Sequence, residues 1–201
     1  MKNSEAYNYL VNQLNSLGPN KSDFVDTKVF EDLLPVEREY IEERIVNSFV
    51  GTHGDYRWAD FMPLLEKYDG VEILKQTIDK KKIPSTDSLY IALSLLKTTG
   101  EEKYIDIIKQ NIEKAAEKKS DYICILSQSK NHILLQYLVE IYIYDEDEDN
   151  RNFALDGILF NYGVLNNIFD LKEYLQKKKM IDSYKSNDIE ERKANIDSIK
   201  N

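Results

Sequence analysis

Apolar residues recur along most of the chain at steps of three and four positions, which is the spacing of one face of an α-helix. Residues 89–96 show this spacing, and so do Tyr104, Ile105, Ile108 and Ile112, which stand among charged and amide side chains. Few stretches alternate with period two, and glycine or proline interrupts the pattern at short intervals. The pattern predicts ten or so helices of about 10–17 residues joined by short turns.

Three segments, residues 55–70, 87–100 and 149–163, share one order of residues: an Asp, an Ala, a pair of Leu or Ile, and a final Gly. The Asp suits a helix N-cap or first turn, and the Ala permits close helix approach. The Gly suits a left-handed helix end. Residues 121–144 form a fourth copy, in which Asn131 stands in place of Gly because Asn also tolerates that conformation.

The residues after two of these glycines also correspond, at a constant offset of 63 positions (163 − 100). Each repeat is therefore a pair of helices, roughly 25–35 residues long, that cannot bury its apolar face alone and must stack on its neighbours. This predicts an all-α fold, a right-handed α-α superhelix. The corresponding positions are Ile105 and Ile168, Ile108 and Leu171, Lys109 and Lys172, and Ile112 and Leu175.

The repeats resemble those of the HEAT-like α-solenoid family. The most specific likeness is Asp55, Arg57, Ala59 and Leu65, matched by Asp149, Arg151, Ala154 and Leu159. The resemblance implies a HEAT-like repeat solenoid over residues 55–180, within a single domain of residues 1–201. Residues 1–50 are expected to be N-terminal capping helices over 5–17, 23–34 and 35–49, with Pro35 in a first turn. Residues 182–201 are expected to form a C-terminal cap or tail.

Composition narrows the classes of function. The 201 residues are 42% hydrophobic and 31% charged, with a net charge of −9. That charge argues against nucleic-acid binding, which needs phosphate neutralisation, and favours a basic protein partner. One Cys and two His argue against a disulfide framework or a metal site, and no cofactor motif is present. The absence of a signal or membrane segment favours a cytoplasmic protein, and the Lys, Asn, Ile and Tyr content suggests a bacterial source.

The sharpest local feature is an acidic run between two predicted helices, directly after two tyrosines. Carboxylates steer the approach of a basic surface, and tyrosines anchor it at low entropic cost. The alternative is a solvated turn whose acids favour the next helix N-terminus. The run lacks the spacing of a calcium loop. The predicted partner-binding residues are Tyr142, Tyr144, Asp145, Glu146, Asp147, Glu148 and Asp149.

Other chemistry-bearing residues have simpler interpretations. The lysine runs 80–82, 118–119 and 177–179 are expected at helix ends, where nearby acids neutralise them. His53 and His132 have no partner at a catalytic spacing, so neither is assigned a catalytic or metal role. Cys124 is interpreted as a small buried hydrophobe, and Trp58 as a core residue rather than a binding residue.

Taken with the resemblance, these features predict a non-enzymatic protein-binding module. Several immunity protein families of bacterial polymorphic toxin systems resemble this chain, which implies an inhibitor that binds a cognate toxin with a basic domain, such as a nuclease. The alternative is a HEAT-like scaffold or adaptor in a bacterial complex. A helical-repeat DNA glycosylase is a third hypothesis, which the net charge of −9 opposes. No small-molecule substrate and no membrane association is evident from the sequence.

Overall fold

The computed structural model describes residues 3–16, 25–51 and 54–200. Helices make up 74% of the structure, and these ranges contain no strand, so the predicted all-α class is confirmed. The α-helices are α1 (Glu5–Asn15), α2 (Pro35–Val50), α3 (Gly70–Ile78), α4 (Thr86–Thr99), α5 (Lys103–Glu113), α6 (Lys119–Ser127), α7 (His132–Tyr144), α8 (Glu148–Asn161), α9 (Leu171–Ser183) and α10 (Ile189–Lys200). Shorter 3-10 helices cover Thr27–Asp32, Tyr56–Leu64 and Ala116–Lys118.

Side-chain caps fix where many of these helices begin. A cap accepts a hydrogen bond from a backbone N–H that has no partner within the helix. Asp87 and Asp149 lie in the first turns of α4 and α8, as predicted, where a negative charge complements the helix dipole. The residues that cap α-helices in this way are Ser4, Asp69, Ser85, Asn131, Asp147 and Asp170.

Two of the predicted helix ends are confirmed and two are wrong. Gly100 and Gly163 have positive φ values of 69° and 75° after α4 and α8. Gly70 instead begins α3, where a Cβ would lie 1.8 Å from the Met62 carbonyl oxygen, so the position needs glycine for close approach. Asn131 has φ −145° and caps the start of α7, because its side-chain oxygen accepts from two backbone N–H groups there.

The N-terminal segments differ from the predicted capping helices. Pro35 begins α2, as predicted, but the helix expected over residues 23–34 is a single 3-10 segment, Thr27–Asp32. Residues 17–24 lie outside the described ranges. The helix expected after Asp55 is the 3-10 helix Tyr56–Leu64, which contains Pro63 near its end. Proline has no N–H for the helical ladder, so this segment does not continue as an α-helix.

The chain divides into two compact units, Met1–Ile107 and Ile108–Asn201. In the first unit, the 3-10 helix Tyr56–Leu64 contacts α2, α3 and α4. Its Trp58 is fully buried, with its ring centroid 5.1 Å from that of Phe61. Ser94 of α4 donates a hydrogen bond of 2.8 Å to the Ala59 carbonyl. The prediction that the only tryptophan belongs to the core is therefore confirmed.

In the second unit, α8 contacts α6 and α7, and α7 also contacts α10. The contact between α6 and α8 is close because α8 presents small residues there. Ala154 is fully buried, and a Cβ on Gly157 would lie 2.8 Å from the Ser127 Cα. The Ser127 hydroxyl donates a 2.8 Å hydrogen bond to the Phe153 carbonyl. This packing sets the position of the turn between α7 and α8.

The helix α9 buries little of its surface. Glu173 and Ile181 are its buried residues, whereas Leu171 and Leu175 are 68% and 59% exposed. The helix α10 occupies part of the predicted C-terminal cap, and it buries Arg192, a residue that the sequence pattern did not single out. No helix in the described ranges is both long and apolar enough to span a bilayer.

Candidate functional site

The predicted acidic run forms the connection between α7 and α8, and residues 145–149 are called the acidic turn below. Its first residue, Asp145, closes α7 through a 2.9 Å hydrogen bond from its N–H to the Ile141 carbonyl. The Asp145 carboxylate accepts from Lys119 Nζ at 2.5 Å, from Asn150 Nδ2 at 3.0 Å and from the Asp147 N–H at 3.0 Å. These three donors hold the turn in one conformation.

The ionised form of Asp145 is the one that these contacts favour. Burial alone would raise the pKa of its carboxyl group, because a desolvated charge is unfavourable. The hydrogen bonds from Lys119, Asn150 and the Asp147 backbone outweigh that effect, so the pKa of Asp145 is lowered from its ordinary value. Asp145 is therefore a structural anion that fastens the turn to Lys119 at the start of α6.

The last three acids of the turn belong to the start of α8. Asp147 is the N-cap and accepts a 3.0 Å hydrogen bond from the Asn150 N–H. Glu148 and Asp149 lie in the first turn, where the helix dipole stabilises negative charge. The interpretation as a helix-start signal thus describes part of what these acids do, although Glu148 and Asp149 remain exposed.

The side chain of Arg151 binds the backbone of the acidic turn. It is only 9% exposed, and its Nη1 donates to the carbonyls of Asp145 at 3.1 Å and Glu146 at 2.7 Å. Its Nη2 donates to Asn187 Oδ1 at 2.9 Å, in the segment between α9 and α10. The backbone of the acidic turn is therefore tied to a segment about 40 residues further along the chain.

A second arginine holds the end of α7. Arg192 of α10 is 4% exposed and donates to the Ile143 carbonyl from Nε at 3.0 Å and from Nη2 at 2.7 Å. Its Nη1 donates to the Ser186 carbonyl at 2.9 Å. Cations commonly satisfy the last carbonyls of a helix, whose dipole favours positive charge. Arg151 and Arg192 together fix the backbone on both sides of Tyr144.

The two predicted tyrosines lie in different environments. Tyr142 is 2% exposed, and its hydroxyl donates to the Tyr184 carbonyl and accepts from Asn195 Nδ2. Burial raises the pKa of Tyr142, which keeps the phenol neutral. Tyr144 is 61% exposed, and Lys193 Nζ lies 6.0 Å from its ring centroid. Tyr142 thus positions the α7 end, and Tyr144 is available to a partner.

The structure gathers part of the predicted set on one outward surface, called the acidic edge below. Its carboxylates accept hydrogen bonds or pair with cations, and its phenol ring offers an apolar face with a polar tip. Asp145 is part-buried and caps the end of α7, whereas Asp147 is exposed but uses its carboxylate as the N-cap of α8. The acidic edge consists of Tyr144, Glu146, Glu148 and Asp149.

The remaining candidates do not join this surface. His53 lies outside the described residues, and His132 is the first residue of α7. Cys124 is partly exposed on α6, so its interpretation as a buried residue is wrong. Among residues 3–16, 25–51 and 54–200, no three His, Cys, Asp or Glu side chains come together as a metal site requires.

The lysine runs are paired with nearby acids, as expected, but their expected placement at helix ends is wrong for two of them, because Lys119 begins α6 and residues 177–179 lie inside α9. Lys81 pairs with Asp87 at 3.3 Å, which confirms the expected contact with the start of the following helix. Lys119 pairs with Asp145 instead of the neighbouring Asp121. Lys177 pairs with Glu173 at 2.6 Å on its own helix. None of the three runs therefore presents a bare row of cations.

Comparisons of the chain with protein-family models, curated proteins and solved structures give no match. The family resemblance and the function that it implies therefore stay predictions, and the single domain of residues 1–201 does too. The geometry adds residues that sequence reasoning missed. Lys119 and Asn150 hold the acidic turn, and Arg192 holds the end of α7 before it; only the position of Asn150 beside the run signalled a role.

Proposed function

We propose that this chain is a non-enzymatic protein-binding module and that its acidic edge docks on a basic protein surface. The observation that carries the proposal is the fixed backbone of the acidic turn, which presents Glu146, Glu148 and Asp149 beside the exposed ring of Tyr144. A backbone that is already fixed loses little entropy on binding, and the exposed carboxylates accelerate the approach of a positively charged partner.

The partner that suits this edge is the basic domain of a cognate bacterial toxin, such as a nuclease, which makes the chain an immunity protein of a bacterial cell's cytoplasm. The net charge of −9 favours that partner and opposes binding to nucleic acid. In this mechanism the carboxylates stand in for the phosphates of the toxin's substrate and cover its active site. The module neutralises the toxin by occlusion and uses no cofactor.

The architecture that goes with this function is a HEAT-like solenoid over residues 55–180, with caps at residues 1–50 and 182–201. Two observations support it. Positive-φ glycines end α4 and α8, the first helices of two repeats. The alanine of each of three repeats is buried, as close helix stacking requires: Ala59, Ala92 and Ala154.

Co-expression with the toxin encoded beside this chain tests the function. We expect a complex that survives purification and a cell that survives the toxin. Absence of both a complex and rescue would overturn the proposal. Recovery of a stable complex with host subunits in place of a toxin would favour the scaffold hypothesis.

A charge-reversal variant tests the site. Glu146→Lys, Glu148→Lys and Asp149→Lys together should slow association at low salt by about tenfold or more and flatten its dependence on salt. The matched control reverses three exposed acids in α5 or directly before it, and it changes the net charge equally but leaves the acidic edge intact. These control positions are Glu102, Asp106 and Glu113.

Circular dichroism must show that both triple variants stay folded, because lysines in the first turn of α8 oppose its dipole. The neutral set Glu146→Gln, Glu148→Gln and Asp149→Asn avoids that cost and should slow association by a smaller factor. Equal association rates for the edge variant and the α5 control would remove the acidic edge from the interface. Association kinetics by surface plasmon resonance give these rates.

A further inference from the structure

A polar cavity of about 130 Å³ lies beside the acidic turn, between the start of α8 and the segment that joins α9 to α10. A space of this size holds several water molecules or one group as large as a phosphate. Its walls carry two cations, two side-chain amides and one carboxylate. The lining residues are Tyr142, Glu148, Arg151, Asn152, Lys185, Ser186 and Asn187.

The buried cation of this cavity has only neutral partners. The hydrogen bonds of Arg151 go to two backbone carbonyls and to Asn187 Oδ1. Within the residues that the structure describes, neither Arg151 nor the nearby Arg192 forms an ion pair with a carboxylate. Buried guanidinium groups are normally paired with an anion, because a desolvated charge is costly. The carbonyls at the end of α7 offset part of that cost.

Further donors converge on the same space. Lys185 lines the cavity, and its side chain is 33% exposed, with Asp182 at 3.1 Å as its ion-pair partner. The Asn187 oxygen accepts from Arg151, so the group that it has left for a ligand is its amide Nδ2, which is a donor. Asn152 adds a second amide to the lining. The combination of guanidinium, ammonium and amide donors suits an oxyanion.

We propose that this cavity binds a small oxyanion, a carboxylate or a phosphate group, which supplies the counter-charge that Arg151 lacks. The Lys185 ammonium and the Asn187 amide complete its hydrogen bonds. Glu148 is the one carboxylate in the lining, and it opposes the anion. The cavity shares Glu148 with the acidic edge, but it binds an anion where the edge binds cations, and binding of the anion requires no protein partner.

Thermal unfolding of the chain alone tests the proposal. Inorganic phosphate and acetate are compared with chloride at equal ionic strength and neutral pH. We expect at least one of the two oxyanions to raise the melting temperature by about 2–5 °C over chloride. The anion that raises the melting temperature more shows whether the cavity prefers a phosphate or a carboxylate. Equal melting temperatures in all three salts would overturn the proposal.

Two pairs of variants place the effect in the cavity. Lys185→Gln should abolish the oxyanion-specific rise, whereas Lys178→Gln should keep it. Both lysines pair with Asp182, so the second variant controls for that ion pair and for the charge. Glu148→Gln should strengthen binding several-fold over its control, Asp149→Asn, which removes an adjacent acid outside the lining.

Nuclear magnetic resonance provides a readout at the residues themselves. Phosphate or acetate should shift the side-chain amide signals of Asn152 and Asn187 before those of amides elsewhere in the chain. A rise in melting temperature that is equal in Lys185→Gln and Lys178→Gln would show a general salt effect, such as the exclusion of phosphate from the protein surface, and it would overturn the proposed site. Shifts confined to amides outside the cavity would have the same consequence.

Discussion

Asp156 lies part-buried on α8, and burial raises the pKa of its carboxyl group to about 6, although Lys185 opposes that shift. An acid whose pKa is higher in the folded state contributes most to stability while it is protonated. For Asp156 this holds at pH values below its unfolded pKa, which is near 3.8. Its contribution is lost as the pH rises through about 6. Asp156→Asn should therefore stabilise the protein by about 1–2 kcal/mol at neutral pH, a value reduced for partial exposure.

Urea unfolding across pH measures this effect. The gain of Asp156→Asn over the natural chain should grow from about pH 4 to about pH 6 and then stay constant. Asp149→Asn removes an exposed carboxylate from the first turn of the same helix and controls for net charge. A gain that does not change over that pH range would contradict the assignment to Asp156.

The sequence predicts the roles of residues that act through their own backbone preferences, but not the roles of residues that act through distant contacts. Pro35 at a helix start and the positive φ of Gly100 depend on the residue's own backbone preferences, which the sequence carries directly. Arg57 binds Asp55 two residues away, whereas Arg151, in the matching motif position, binds the carbonyls of the acidic turn. Arg192 reaches Ile143 across 49 residues, a pairing that only the tertiary fold defines.

At the scale of elements, α5 and α9 show that the spacing of apolar residues predicts a helix but not the burial of its apolar face. Ile108 and Ile112 of α5 are fully buried, but the residues that correspond to them in α9, Leu171 and Leu175, are largely exposed. The same spacing predicts both helices correctly, because it reports which residues share a face. It does not report whether another element covers that face. In α9 the buried side is instead the one that carries Glu173.

Alanine substitutions in the two helices should separate these environments. Ile108→Ala and Ile112→Ala should each lower the free energy of unfolding by about 2–4 kcal/mol, because they leave cavities. Leu171→Ala and Leu175→Ala should change it by no more than about 0.5 kcal/mol. Urea denaturation followed by circular dichroism measures all four. Comparable losses in both helices would mean that α9 is buried in solution.

At the scale of the whole molecule, the proposed solenoid predicts dimensions beyond those of a compact globule. A compact chain of 201 residues has a radius of gyration of about 16–17 Å. Stacked helical pairs that form a superhelix should give a larger value and an asymmetric distance distribution in small-angle X-ray scattering. A value at or below that of the compact globule would contradict the solenoid and leave the two compact units as the description of the fold.

The hydrogen bonds that hold the end of α7, directly before the acidic turn, come from α10. Arg192 and Asn195 of α10 donate to the carbonyls of Ile143 and Tyr184. A protease cut between Ser186 and Arg192 that released α10 would remove the hydrogen bonds to the Ile143 carbonyl, whereas the acidic turn would keep those from Lys119, Asn150 and Arg151.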